Sequence, residues 1–247
     1  MMMRTLFVAD LHLSEKHRHI TDAFFAFLDQ EASDIETLYI LGDMFEVWIG
    51  DDEHTPLMDE VAQKLTLFSA VNNVDIYYIH GNRDFMIGKR YAKQSSMNLL
   101  PEHDEIDLYG KKTLIMHGDT LCLQDKNYQR LRKVIHNPLL QFIFNCLPLT
   151  LRKRIGWKIR TASQSKKVDK NIEMMGVTQD EVLRLMELHK VQYLIHGHTH
   201  QANIHEFEVN EKKAQRFDVG DWYHQLSFVA ATPSSIELIV HPIDYYQ

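Results

Sequence analysis

The chain has 247 residues, of which 45% are hydrophobic and 25% charged, and its two cysteines, Cys122 and Cys146, lie far outside a C-x-x-C spacing. That length and balance permit a sizeable core in one large or two small domains, and exclude a disordered, fibrous or disulfide-framed chain. The formal charge of −7 conceals a local reversal: residues 126–170 hold 12 Lys and Arg against one acid (+11), and the remainder holds 15 against 33 (−18).

In chain order, the opening "MMMRTLFVADLHL" lacks the longer apolar stretch and small-residue cleavage site of a signal peptide. Five short apolar runs then recur, each closed by polar residues: "TLFVADLH" (5–12), "LYILGD" (38–43), "IYYIHGN" (76–82), "TLIMHGD" (113–119) and "YLIHGHTH" (193–200). Runs of this length suit buried strands, although periodicity alone leaves a short buried helix open. Between them, residues 20–32 and 55–71 carry apolar side chains at three- and four-residue spacing, which predicts helices. Residues 178–190 predict a third helix opened by a capping-box pair, Thr178 and Glu181. Beyond His200, alternating runs such as "ANIHEFEV" and "SFVAAT" predict antiparallel strands. The expectation is an α/β fold with a layered sheet and a β-rich C-terminal third.

Ligands of open α/β sheets collect just beyond the carboxyl ends of strands. Those ends supply Asp10, His12, Asp43, Asn82, His117, His198 and His200, seven oxygen or nitrogen donors with no thiolate among them. Each has an ordinary reading alone. A lone strand-end histidine, His80 or His196 included, is more often hydrogen-bonded than metal-bound, and Gly-Asp or Gly-Asn pairs are common turns. Five such endings in strand order point instead to a shared metal site.

The ordered set "DLH" (10–12), "GD" (42–43), "GN" (81–82), "HG" (117–118) and "GHTH" (197–200) resembles the calcineurin-like metallophosphoesterases. The resemblance implies a four-layer αββα sandwich around two metal ions. Asp10, His12 and His200 would hold one, Asn82, His117 and His198 the other, and Asp43 would bridge them. "GDMFEVWIGDD" (42–52), "HGNRDFMIGKR" (80–90) and "MHGDTLC" (116–122) are similar to one branch of that family. That branch uses manganese and hydrolyses UDP-2,3-diacylglucosamine to UMP and 2,3-diacylglucosamine 1-phosphate, with water attacking the α-phosphorus. Many other relatives read G-N-H-[DE] where this chain has "GNRD". Arg83 stays protonated and makes a poor general acid, but can clamp phosphate oxygens in pairs; no catalytic acid or base is assigned.

The same resemblance places substrate contacts at Asn82, Arg83, Asp125, Ser163, Lys167, Lys170 and His198; position 167, often Asn in that branch, is Lys here. It also implies one domain over 1–247 with a basic helical cap inserted at about 126–170. Within the insertion, Leu139–Leu151 is apolar but short and broken by Pro148, and Arg152, Lys153, Arg154, Lys158 and Arg160 surround Trp157. Apolar anchors beside a cationic cluster suit an anionic bilayer surface, and the resemblance puts the chain at the cytoplasmic face of the inner membrane. The alternative is a hairpin packed on its own core with a solvated basic side. Nucleic acid fits less well, since the cations flank a greasy run and the rest of the chain is acidic. A hydrolase of soluble nucleotides and a metal-free scaffold are the competing functions.

Overall fold

The computed structural model describes residues 3–168, 176–223 and 225–246, with the backbone only across 162–168. Strands β1 (Arg4–Val8), β2 (Ile35–Ile40), β3 (Asp75–Tyr78) and β4 (Met97–Leu99) lie parallel in that order. β10 (Gln225–Ala231) joins β1 antiparallel, with β11 (Ile236–Pro242) antiparallel outside it. The second sheet runs β5 (His103–Leu108), β6 (Lys111–Met116), β7 (Tyr193–His196), β9 (Lys212–Asp218), β8 (Asn203–Val209). Here β6, β7 and β9 are parallel, and the outer strands β5 and β8 are antiparallel to their neighbours.

Side-chain alternation along the strands explains how the sheets stack. Leu6 and Val8 of β1 point into a cluster with Ile20, Phe24 and Phe27 of α1 (Arg18–Glu31) and Val61 and Leu65 of α2 (Pro56–Asn72). Phe7, between them in sequence, points the other way, into a second cluster with Ile115, Ile195 and Phe217 from the facing sheet. A third cluster packs Leu114, Met116 and Leu194 against Val182, Leu185 and Met186 of α7 (Gln179–His189). Three apolar layers therefore separate helix, sheet, sheet and helix, the four-layer sandwich that the family resemblance implies.

The three predicted helices form, with different chemistry at their ends. Thr55 caps α2 through Met58 N at 3.2 Å, and Asn73 ends it in the left-handed conformation. Thr178 precedes α7 but makes no side-chain cap; its Oγ1 accepts Leu123 N at 3.2 Å, and Glu181 pairs with Arg184. The capping box is thus replaced by a tie to the chain entering the insertion. The C-terminal third is also less uniformly antiparallel than its alternation predicts, because β9 lies parallel to β7. Nothing in the pattern of β9 marks its neighbour as a strand in the same direction. Both cysteines are free, Cys122 buried and Cys146 exposed.

Between β6 and α7 lie α4 (Lys126–Ile135), α5 (Pro138–Asn145) and α6 (Leu149–Val168). Asp125 caps α4 through Tyr128 N at 3.0 Å, and Asn137 caps α5. These helices have no core of their own: Leu139 and Phe142 are each 66% exposed, and among the described residues of 126–161 only Arg152 is buried. Arg152 forms a paired salt bridge with Asp52 and donates from Nη1 to Ile49 O at 2.9 Å, which pins α6 to the loop after β2. Among the described residues, no helix is long and apolar enough to cross a membrane.

Phe27 is fully buried, with its ring against those of Trp222, Phe228 and Tyr246. Phe27→Ala is expected to cost about 3–5 kcal/mol, read as a lowered midpoint in urea unfolding with an unchanged slope.

Candidate metal centre

Parallel strands of both sheets deliver their carboxyl ends to one place. The turns after β1, β2 and β3 bring Asp10, His12, Asp43 and Asn82; those after β6 and β7 bring His117, His198 and His200. Backbone bonds stitch the turns together: Asp10 N to Gly42 O at 3.1 Å, His12 N to Asp43 O at 2.9 Å, and Gly197 N to His117 O at 2.9 Å. Gly42 has φ +86°, and a Cβ there would lie 2.6 Å from Gly81 Cα. Only glycine lets the "GD" and "GN" turns approach this closely.

Five of the seven residues themselves have positive φ: Asp10 at 53°, His12 at 50°, Asp43 at 52°, His198 at 74° and His200 at 64°. Left-handed backbone costs an L-residue of order 1–3 kcal/mol, and such strain persists where surrounding structure imposes it, commonly at functional sites. Here it turns successive side chains inward.

The donors form two groups. Asp10 Oδ1 lies 3.8 Å from His12 Nε2 and 3.7 Å from His200 Nε2, and the two imidazole nitrogens are 3.3 Å apart. Asn82 Oδ1 lies 3.0 Å from His117 Nε2 and 2.8 Å from His198 Nδ1. Asp43 Oδ1 lies 3.8 Å from His117 Nε2 in the second group, and its Oδ2 lies 3.9 Å from Nδ1, the other ring nitrogen of His12. Asp10, Asp43 and His117 also offer ligand atoms within 4.8 Å of one another, so Asp10 borders both groups. Atoms about 2.1 Å from one cation are roughly 3.0–3.5 Å apart at right or tetrahedral angles, so each group has the size of a coordination shell. Asp10 Oδ1 is buried and accepts no hydrogen bond, an expense that a cation removes. His117 donates Nδ1–H to Leu41 O at 2.8 Å, which aims Nε2 at the site. The residues present fit a pair of divalent cations.

Charge crowding gives the same reading. Burial raises the pKa of Asp43, and the nearby Asp10 carboxylate raises it further. Asp84 is likewise raised by burial and by Asp43. Burial opposes a charged His117, but Asp43, Asp10 and Asp119 prevail and push it up to about 9. For Asp119 burial is outweighed in the opposite direction: His117, Arg132 and His198 hold its carboxyl below the usual range.

Several residues left unassigned by the sequence acquire roles. Asp84 accepts Asp43 N at 3.2 Å, Phe45 N at 3.1 Å and Gly81 N at 3.1 Å, locking the second and third turns together. Glu46 lies 3.7 Å from His12, pairs with Arg83 and with Arg160 of α6, and accepts Tyr223 Oη at 3.3 Å. His17 packs edge-on to Tyr223, whose other neighbour is the ring of His12. His80 donates to Ile87 O at 2.7 Å. Burial and Arg216 hold His196 down to about 3, and it donates to Gly197 O at 2.7 Å; both histidines carry structural bonds. Of the expected substrate contacts, Asn82, Arg83 and His198 are at the site, and Asp125 is at the start of α4. The side chains of Ser163 and Lys167, and Lys170 entirely, lie outside the described residues.

Beside the centre, a cavity of about 530 Å³ separates α6 from the core, lined by Phe45, Ile49, Met58 and Trp157 with the cations Lys153 and Arg160. Its walls are largely apolar, and the two cations of α6 enter it paired with acids of the core side, Lys153 with Glu53 and Arg160 with Glu46.

The calcineurin-like phosphoesterase family model matches residues 3–202. The chain belongs to that family. A protein of Psychromonas ingrahamii named UDP-2,3-diacylglucosamine hydrolase is 66% identical over 99% of this chain and 100% of its own. Proteins of the same name from Photobacterium profundum and Salmonella agona are 49% and 47% identical, covering 96% and 98% of this chain and 96% and 100% of theirs. Membership of this family implies a divalent metal pair, in keeping with the clusters Asp10, His12, His200 and Asp10, Asp43, His117.

The metal-free protein has a predictable pH response. His117 is raised from 6.5 to about 9, so its stabilising contribution is complete below pH 6.5 and is lost as pH rises through about 9. Asp218, raised by burial from 3.8 to about 8, acts in the same direction, losing its contribution as pH rises through about 8. The urea midpoint of chelator-treated protein should therefore fall between pH 6.5 and 9, and saturating Mn2+ should flatten that fall. A midpoint that rises with pH in chelator contradicts the assignment.

Proposed function

We propose that this chain hydrolyses UDP-2,3-diacylglucosamine to UMP and 2,3-diacylglucosamine 1-phosphate, a step of lipid A biosynthesis, with two Mn2+ ions. The observation that carries this reading is the 66% identity, along essentially the whole of both chains, to a protein named for that substrate. The dinuclear donor set beside an apolar cavity agrees with it, because the substrate joins a diphosphate to two acyl chains.

In this reading Asp10, His12 and His200 would hold one cation and Asn82, His117 and His198 the other, with Asp43 shared by both. Such a pair supplies a water of lowered pKa and neutralises phosphate charge. Manganese rests on the family branch, since a mixed nitrogen and oxygen set also accommodates iron or zinc. His117 must be neutral to serve, so its basicity in the metal-free chain makes a proton the cation's competitor. Arg83 has an 8% exposed side chain whose Nε lies 3.3 Å from Asp43 Oδ2, close enough to bind a phosphate oxygen at the same centre. Asn82 and His198 contact the substrate from the second donor group, and Asp125, Ser163, Lys167 and Lys170 from the insertion. Attack on the α-phosphorus expels a phosphate monoester, which needs little protonation, consistent with arginine where relatives place histidine.

The insertion over about 126–170 serves as a cap on the single domain. The exposed Leu139, Phe142 and Trp157, with Arg154 and Lys158 on α6, suit an anionic lipid surface and a peripheral place on the cytoplasmic face of the inner membrane. The lack of a core within these helices favours this over a self-contained hairpin.

Mass spectrometry of products formed in 18O-water from detergent-dispersed UDP-2,3-diacylglucosamine tests substrate and regiochemistry together; label is expected in UMP. Comparable turnover of UDP-N-acetylglucosamine favours a soluble-nucleotide hydrolase instead. Arg83→Ala should lose about 1.5–3 kcal/mol of transition-state binding, roughly 10- to 150-fold in kcat/KM, with both ions retained. Co-sedimentation with phosphatidylglycerol vesicles should weaken in Leu139→Ser/Phe142→Ser, and unchanged binding removes the membrane assignment.

A further inference from the structure

His200 stands at the rim of the centre, its side chain 18% exposed where those of His12 and His117 are 0% and 1%. Its Nδ1 lies 2.7 Å from Asp221 Oδ2. The carboxylate accepts, so the proton sits on Nδ1 and Nε2 turns bare toward Asp10 and His12. One turn, 218–223, presents that carboxylate. Asp218 accepts Thr199 Oγ1, Gly220 takes φ +79°, Asp221 Oδ1 receives Tyr223 N at 3.4 Å, and the Tyr223 ring stacks on His12 at 5.5 Å. The turn thus braces both histidines of the first donor group. In the second group, by contrast, His117 is oriented by a neutral carbonyl, Leu41 O.

We propose that Asp221 is the positioning residue of His200, and that it makes the Asp10–His12–His200 position the tighter of the two cation sites. The inference rests on the metal reading above and is independent of the substrate. A carboxylate partner raises the donor strength of an imidazole and fixes its ring, and loss of such a partner generally costs 10- to 100-fold in metal affinity. Carboxylates stand near both groups, Asp10 and Asp221 at the first and Asp43, Asp10 and Asp119 about His117 at the second, so the asymmetry lies in the Asp221 hydrogen bond to His200 rather than in net charge.

The test is calorimetric titration of chelator-stripped full-length protein with Mn2+, accompanied by electron paramagnetic resonance of the filling sites. Wild type is expected to bind in two steps, with mononuclear signal first and the coupled pair second. Asp221→Asn is nearly isosteric. It should weaken the tighter step roughly 10- to 100-fold and leave the weaker step in place, so that the two steps merge. His200→Ala should weaken the same step, and adding Asp221→Asn to it should have little further effect, because the carboxylate acts through the ring. Additive losses, loss confined to the weaker step, or two wild-type steps in Asp221→Asn would each overturn the proposal. Thermal unfolding in chelator separates misfolding from lost affinity, and Asp221→Glu should fail to restore the tight step if the 2.7 Å contact is what matters. A wild-type chain that binds no Mn2+ overturns the underlying metal reading as well.

Discussion

Burying carboxylates side by side is the constraint around which this molecule is organised. Asp10, Asp43 and Asp84 are each at most 1% exposed at the meeting point of two sheets. Isolated buried charge of that kind is prohibitive unless it is paired, hydrogen-bonded or coordinated. The fold hydrogen-bonds all three, pairs Asp43 with Arg83, and leaves one oxygen of Asp10 without a hydrogen bond. Asp84 is satisfied by three backbone amides, Asp43 receives Arg83 N at 2.8 Å, and Asp10 accepts His198 N at 2.6 Å while its other oxygen is left for a cation. Strained backbone at the same turns is compatible with this arrangement because four layers hold the strand ends fixed.

Much of this was readable from residue order. The apolar runs that become β1, β2, β3, β6 and β7 are short, continuous and closed by polar residues, because β1, β6 and β7 are largely buried, β2 and β3 are buried on one face and mostly half-buried on the other, and all end where the site begins. The seven donors could be picked out by their position after those runs, and the structure brings all seven together. Short β4 and β5 were not readable. β4 has three residues, and "HDEIDL" of β5 has a solvated face that weakens its apolar signal. Asp221 and Asp84 are noticeable in the sequence, as are His17 and His19, but their roles are not assignable there, since a supporting carboxylate is defined by what it touches in space. The failed capping box has the same origin: local spacing predicted a bond for Thr178, and a tertiary amide, Leu123 N, took it.

"GDMFEVWIGDD" shows how one short motif serves several masters. Asp43 enters the metal centre, Asp51 accepts the amides of Gly88, Arg90 and Tyr91 and so caps α3 (Lys89–Gln94) from a distance, and Asp52 holds Arg152 of α6. Gly88 at the N-cap has no side chain for that purpose, which is why a remote carboxylate does it. Centre, neighbouring helix and cap are therefore registered to the same eleven residues.

Glu46, in the middle of that motif, has two oxygens and two guanidinium partners on different elements: Arg83 beside the candidate donors and Arg160 on α6. An anion that recruits Arg83 competes with this carboxylate for it, and whatever hold Glu46 surrenders on one arginine it can lend to the other. Anion binding at Arg83 and the hold on α6 are thereby entries in the same local charge balance. A ligand need not touch α6 to alter how firmly that helix is moored.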